Sequence, residues 1–180
     1  MHTRVGYAGG TKKDPTYESL GDHAETIEVT YDTRKISYAE LLDIFWQSHE
    51  PTVQSSSRQY MSIIFYHDEE QRKRAVMTKD RQEASRKRKI QTIFVPAGLF
   101  YPAEDYHQKY YLRSTPAVMK EFNALYPSST DFINSAAAAK VYGFLGGNGT
   151  IGDLKTDLET SKLAPEAIDR IIKGLRGTRG

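Results

Sequence analysis

The sequence predicts an α+β fold in which helices pack on a small mixed sheet. Two observations support this prediction. Some segments have alternating apolar residues, which is typical of strands, and between them lie capped segments whose apolar residues recur at helical spacing. The 180 residues, 38% of them hydrophobic, suit one compact domain with an extension. We therefore expect a domain over residues 1–125 and a C-terminal extension over residues 126–180.

The first half of the chain contains the clearest elements. Dense glycines and a proline indicate a loop over residues 5–22, and apolar alternation predicts a half-buried strand over 25–31. Ser37 and Glu40 have the spacing of a capping box, so a helix is expected to start there and to end before Pro51. The further predicted elements are strands at 59–66 and 90–95 and helices at 68–87, 103–112 and 116–125.

The C-terminal extension has a different composition. Residues 127–130 are predicted to be a linker, and five glycines follow between residues 143 and 152. Regularly spaced leucines and isoleucines over 153–175 then predict two short helices, with a break at 160–165.

The composition excludes several kinds of chemistry. The chain has no cysteine, so it can form no disulfide, no cysteine-based zinc site and no thiol nucleophile. The formal net charge of +2 gives no long-range field that would favour nucleic acid. No stretch approaches the roughly 20 apolar residues of a membrane span, and the N-terminus has no signal-peptide core. We expect a monomer in the cytoplasm, with no membrane partner.

Two clusters permit other interpretations. Nine lysines and arginines lie between Arg72 and Lys89, which suits either a nucleic-acid patch or the solvated face of a helix. Because cations are favoured at the C-terminal end of a helix, we prefer the solvated face and do not expect nucleic acid as a partner. His23, His49 and His107 match no standard spacing of metal ligands, so no metal is expected.

Four separated segments carry a family resemblance. They are Arg4–Gly10 with Asp14–Tyr17, Gly21–Tyr31, Phe45–Thr52 with Gln59–Tyr60, and Phe100–Gln108. In this order they resemble the A-type peptide methionine sulfoxide reductases. The resemblance implies a two-layer fold of the ferredoxin-like plait type, and methionine sulfoxide in proteins, in peptides or as the free amino acid as the substrate.

The resemblance also implies roles for individual residues. Reducing a sulfoxide requires a nucleophile at sulfur, a proton for the oxygen and an apolar recess for the methyl group. By position, Glu25 would be a buried acid, and the hydroxyl groups of Tyr17 and Tyr60 would hold the oxygen. The implied substrate-binding residues are Tyr7, Gly9, Gly10, Asp105 and His107. Without the resemblance, Tyr60 would be read as a packing residue, and Glu25 and His107 as solvated side chains.

The sequence departs from the family at the nucleophile. The family carries it in a Gly-Cys-Phe-Trp-Gly segment upstream of the glycine-rich loop, whereas this chain begins at Met1, three residues before that loop. Between Thr52 and Gln59 the family's aspartate has no counterpart, Met61 follows Tyr60 where arginine is usual, and the tail has no resolving cysteine. We expect a truncated start rather than a mutated active site.

Two hypotheses of function follow. In the first, the chain is part of a peptide-methionine (S)-S-oxide reductase that needs no prosthetic group and draws on an external thiol such as thioredoxin or glutathione. In the second, it is a catalytically inactive module that binds methionine sulfoxide or serves as an interaction domain. Nucleic-acid association through residues 72–89 is a third, weaker alternative.

Overall fold

The computed structural model describes residues 1–177, which divide into two compact units. The central unit comprises residues 5–27 and 31–103, and the C-terminal unit comprises residues 1–4, residues 28–30 and the chain from Glu104. The division of the chain at residue 125 stays a prediction.

The described residues contain five strands and eight helices. The strands are β1 (His2–Ala8), β2 (Ala24–Thr30), β3 (Ile63–Tyr66), β4 (Ile93–Pro96) and β5 (Phe100–Pro102). The helices are α1 (Tyr38–Gln47), α2 (Glu69–Arg86), α3 (Tyr110–Arg113), α4 (Pro116–Leu125), α5 (Ser129–Ile133), α6 (Ala136–Leu145), α7 (Ile151–Glu159) and α8 (Pro165–Arg176). A 3₁₀ turn, Arg58–Tyr60, precedes β3.

The strands confirm the α+β class, although they form two small sheets where the sequence predicted one. One sheet has the order β2-β1-β5, with β1 antiparallel to β5 and Tyr7 opposite Tyr101. The other is the parallel pair of β3 and β4, in which Ile64 lies opposite Phe94. Helix α2 connects these two strands, as the long crossover between parallel strands requires.

The core of the central unit confirms the two helices predicted most clearly. Ser37 caps α1 and forms the predicted capping box with Glu40, and Asp68 caps α2. The fully buried indole of Trp46 donates to the Thr78 hydroxyl at 3.0 Å, which joins α1 to α2. The buried residues around this contact are Leu42, Trp46, Ile64, Ala75 and Ile90.

The C-terminal unit has a hydrophobic core of its own. Helix α4 starts with Pro116 as predicted, and α7 and α8 are the two short helices predicted over 153–175. Helix α8 buries Ile168, Ile171, Ile172 and Leu175, a spacing of three and four residues that covers one helix face. Phe122 and Leu158 lie fully buried in the same core.

Several local predictions were wrong. Part of the predicted loop over 5–22 is strand β1, because Gly6 lies so close to β5 that a Cβ there would be 2.3 Å from the Tyr101 carbonyl oxygen. The predicted strand over 59–66 starts only at Ile63. The predicted helix over 103–112 is mostly turn up to Lys109, whose φ is 55°, and only its last residues are helical, in α3. Helix α5 begins inside the predicted linker.

Candidate functional site

Asp22 holds together the glycine-rich loop of the central unit. Its carboxylate accepts hydrogen bonds from the backbone N–H of Thr11 at 2.8 and 2.9 Å and from that of Lys12 at 3.3 Å. The Thr11 hydroxyl donates a further bond at 3.0 Å. The backbone bond from Thr11 is the main reason why the pKa of Asp22 falls to about 2. Asp22 is therefore a charged anchor of the loop at neutral pH.

His23 fixes the same loop from inside. The backbone N–H of Gly10 donates to its Nδ1 at 3.1 Å, so the ring proton must lie on Nε2, which donates to the Lys12 carbonyl oxygen at 2.8 Å. The ring is 1% exposed and packs edge-on against Tyr101, with the centroids 5.4 Å apart. His23 thus has a structural role next to the predicted acid Glu25.

The two predicted loop glycines are required by their surroundings. Gly9 has a φ of 78°, and a Cβ there would lie 2.7 Å from the ring of Phe65. A Cβ on Gly10 would lie 2.6 Å from both the Asp22 carboxylate and the backbone nitrogen of His23. The glycines therefore let the loop approach β2 and β3 closely.

The Arg58–Tyr60 turn brings a second segment to this loop. Arg58 donates to the Gly9 carbonyl oxygen at 3.1 Å and to the Asp22 carbonyl oxygen at 3.4 Å. The next residue, Gln59, donates from Nε2 to Oε1 of Glu25 at 2.7 Å. The turn thus contacts both the loop and the start of β2.

The three residues predicted to be catalytic lie together. Tyr60 forms a side-chain hydrogen bond with Tyr17, and this bond is the main reason why the pKa of Tyr60 is raised; the nearby Glu25 carboxylate adds to the effect. All three side chains are exposed, Tyr17 by 42% and Tyr60 by 60%.

The resemblance implied a buried acid, and the exposure of Glu25 corrects that expectation. Glu25 lies near the start of β2, the edge strand of its sheet, on the same face as Ile27, which is also exposed. A ligand can therefore reach the carboxyl group directly.

The other predicted binding residues are distributed over both units. Tyr7 lies in β1, 2% exposed, in a small core with Leu20 and Ala103. Asp105 and His107 belong to the C-terminal unit, where Asp105 accepts a hydrogen bond from the Ser129 hydroxyl at 2.5 Å and His107 packs on Tyr106. Their role in substrate binding stays a prediction.

Sequence reasoning assigned no role to Arg58 or Gln59. Gln59 was part of the matched segment, but its partner Glu25 is 34 residues away, and no periodicity links the two. Arg58 lies in the short segment between Thr52 and Gln59, where the only signal is a cation among serines.

Ion pairs account for part of the basic cluster on α2. Four of the nine cations between residues 72 and 89 pair with carboxylates of the central unit. The pairs are Arg72–Glu69, Arg74–Glu70, Lys79–Glu83 and Arg86–Glu50. This pairing favours the solvated-face interpretation, and binding of nucleic acid stays untested.

Tyr17, Tyr60 and Glu25 can offer hydroxyl donors and a carboxyl group to one small polar ligand atom. Neither phenol brings a charge, so the pair suits the oxygen of a neutral group better than an anion or a cation. The fold and the site therefore define a class of protein: an α+β protein in which two tyrosines and a carboxyl group lie exposed beside one another.

Comparisons with known proteins identify the family. The family described as peptide methionine sulfoxide reductase matches residues 1–140. The chain is 42% identical over 167 residues to a peptide methionine sulfoxide reductase of Drosophila melanogaster, covering 92% of this chain and 67% of that one. It is 47% identical over 121 residues to one of Methanothermobacter thermautotrophicus, covering 61% and 72%. The chain belongs to the peptide methionine sulfoxide reductase family.

Solved structures agree with this assignment. Mxr1 from Saccharomyces cerevisiae in its reduced form superposes with a TM-score of 0.58 at 32% identity, over 63% of this chain and 71% of that one. Methionine sulfoxide reductase A of Corynebacterium diphtheriae gives a TM-score of 0.52 at 30% identity, over 64% of each chain. Methionine sulfoxide reduction is the activity for which the family is named, and none of the 180 residues of this chain is a cysteine.

Two other features are absent from residues 1–177. Within that part of the chain, no helix has the length and the apolar character needed to cross a membrane. In the same residues, no three histidine, aspartate or glutamate side chains cluster so that they could hold a metal ion.

Proposed function

We propose that this chain binds the sulfoxide group of oxidised methionine in peptides and takes part in its reduction to methionine. The observation that carries the proposal is the hydrogen-bonded pair of Tyr17 and Tyr60 beside the carboxyl group of Glu25. Membership of the family supplies the substrate class, the resemblance supplies the residues, and their closeness in the structure supports the proposal.

In this proposal the three residues act on the sulfoxide oxygen. On binding, the sulfoxide oxygen takes the place of the hydrogen bond between Tyr17 and Tyr60 and accepts a hydrogen bond from each phenol. Glu25 donates the proton that the oxygen needs to leave as water. The overall reaction consumes a peptide methionine S-sulfoxide and two thiols, and it yields methionine, one disulfide and water. The two electrons come from the thiols, for which thioredoxin or glutathione would serve. The proposal includes no prosthetic group, a monomeric state and a cytoplasmic location.

The absence of cysteine favours a second candidate, a binding module that recognises methionine sulfoxide and does not reduce it. Both candidates use the same site. They differ only in whether a thiol from outside the chain can attack the bound sulfoxide sulfur.

Two measurements on the purified 180-residue chain separate the candidates. The first is calorimetric binding of a peptide with methionine S-sulfoxide, against the R-sulfoxide and the unoxidised peptide. The second is turnover of dabsyl-methionine sulfoxide with dithiothreitol. The reductase predicts S-selective turnover that Glu25→Gln lowers by about 10²–10⁴-fold, the usual contribution of a general acid.

The matched control is Glu18→Gln, which removes another exposed carboxyl group from the same unit. S-selective binding without turnover would support the binding module instead. If the chain neither binds nor reduces the sulfoxide, or if Glu18→Gln and Glu25→Gln have equal effects, the proposed function is wrong.

A further inference from the structure

We propose that Gln59 is a positioning residue, which fixes the orientation of the Glu25 carboxyl group so that Oε2 faces the sulfoxide oxygen. The inference rests on the proposed function, and it names a residue that neither the sequence nor the family assignment had given a role. It follows from three observations: one short contact, the support of the turn behind it and the chemistry of an amide.

The contact itself decides which carboxyl oxygen is available. Nε2 of Gln59 donates to Oε1 of Glu25 at 2.7 Å, which is a well-formed hydrogen bond. The bond is made to Oε1 and not to Oε2, and the Glu25 side chain is exposed. When the carboxyl group is neutral, its proton must be on Oε2, because Oε1 already faces an N–H group. The proton therefore points away from Gln59 and is available to a ligand.

The 3₁₀ turn that carries Gln59 is itself held in place by hydrogen bonds, so the orientation of the Glu25 carboxyl group is fixed. The Ser57 hydroxyl accepts the backbone N–H of Gln59 at 3.3 Å, and the carbonyl oxygen of Arg58 accepts the N–H of Met61 at 3.2 Å. The side chain of Arg58 anchors the turn to Gly9 at 3.1 Å. An exposed glutamate loses rotamer entropy when it binds a ligand. The hydrogen bond from the anchored Gln59 amide restricts the Glu25 side chain before a ligand binds, so less of this entropy is lost on binding.

An amide is the side chain suited to this task. A lysine or arginine at this position would stabilise the carboxylate and disfavour the protonated acid that the reaction requires. The glutamine amide brings no charge and does not titrate, so it can hold Oε1 whether or not Oε2 carries a proton. Gln59 therefore orients the acid and leaves its proton available.

The test compares Gln59→Met with Gln54→Met in the full chain. Methionine has nearly the length of glutamine but no N–H donor in its side chain, and Gln54 is an exposed glutamine of the same unit. Calorimetry measures the Kd for a methionine S-sulfoxide peptide and for the unoxidised peptide. Gln59→Met is expected to weaken sulfoxide binding about tenfold, as loss of one hydrogen bond would, with no change for the unoxidised peptide. Gln54→Met should leave both constants unchanged.

A double-mutant cycle separates positioning from a general structural role. In a Glu25→Ala background the Gln59→Met substitution should have no further effect on sulfoxide binding, because the carboxyl group that the Gln59 amide contacts is gone. The ¹³C resonance of the Glu25 carboxyl carbon should shift in Gln59→Met and not in Gln54→Met. Additive losses in the cycle, equal weakening of both peptides, or an unmoved resonance would overturn the positioning role.

The two proposals fail in distinguishable ways. If the parent chain does not bind the sulfoxide peptide at all, the proposed function fails, and the positioning role fails with it. If the parent binds the peptide and Gln59→Met binds it equally well, only the positioning role fails. Fluorescence of the buried Trp46 verifies that each variant is folded.

Discussion

Replacement of His23 by alanine is the most direct test of how the glycine-rich loop is held. The imidazole bridges two backbone groups of the loop, the N–H of Gly10 and the carbonyl oxygen of Lys12, at 3.1 and 2.8 Å. Alanine offers neither an acceptor nor a donor, and it leaves a space beside Tyr101. We expect His23→Ala to destabilise the central unit and to release the loop.

The structure gives the expected magnitude. Each of the two partly buried backbone groups loses its partner, which costs about 1 kcal/mol per group. Loss of the buried ring and of its edge-on packing adds about 1 kcal/mol. The sum is about 3 kcal/mol, a large fraction of the 5–15 kcal/mol of a typical domain. With an m-value of about 2 kcal/mol/M, the urea midpoint should fall by about 1.5 M.

Trp46 makes the measurement simple. It is the only tryptophan, it is fully buried, and it belongs to the same unit as His23, so its fluorescence follows the unfolding of that unit in urea. His67→Ala is the matched control, because His67 is exposed. An unchanged midpoint for His23→Ala, or an equal fall for both variants, would refute the bridging role of the imidazole.

Three further predictions test other parts of the structure. The pKa of Asp22 is lowered from 3.8 to about 2, so its stabilising effect should be complete above pH 4 and disappear as the pH falls towards 2. In a plot of urea midpoint against pH, Asp22→Asn should remove the fall between pH 4 and pH 2. The same fall in the variant and in the parent chain would contradict this prediction. Gly10→Ala should cost about 2 kcal/mol in the same urea assay because its Cβ would overlap backbone, whereas Gly98→Ala, with nothing within 4 Å, should cost little; equal effects would rule out the clash. Phe122→Ala should destabilise the C-terminal unit by about 3–5 kcal/mol, and Gly143→Ala should stabilise it by about 0.5–1 kcal/mol. The midpoint of thermal unfolding, followed by circular dichroism, should therefore fall in the first variant and rise in the second. A change of the same sign in both would refute the packing argument.

The sequence predicted best the elements whose determinants are local. The capping box of Ser37 and Glu40, the cap at Asp68 and the proline that starts α4 all act within one helical turn. The two helices over 153–175 were likewise predicted from their own spacing. Strand β1 could not be predicted in this way, since its partner β5 lies more than 90 residues further along the chain.

The candidate site, too, could be predicted from the sequence only in part. The resemblance identified Glu25, Tyr17 and Tyr60, and the structure brings these three together. The resemblance could not give the exposure of the Glu25 side chain, because this exposure depends on the position of β2 at the edge of its sheet. It also gave no role to Gln59, because a contact between two side chains 34 residues apart leaves no pattern in either segment.

The tight turn at Arg58–Tyr60 has a consequence for how such sites can change. A 3₁₀ helix advances by about 120° per residue, so consecutive side chains point in three different directions. Here Arg58 reaches Gly9, Gln59 reaches Glu25 and Tyr60 reaches Tyr17. Inserting or deleting one residue inside the turn would therefore redirect all three contacts at once, whereas a change in length before Ser57 would leave their directions intact. Because Ser55 and Ser57 are hydrogen-bonded to each other, we expect changes in chain length to be tolerated before Ser55 rather than within the turn.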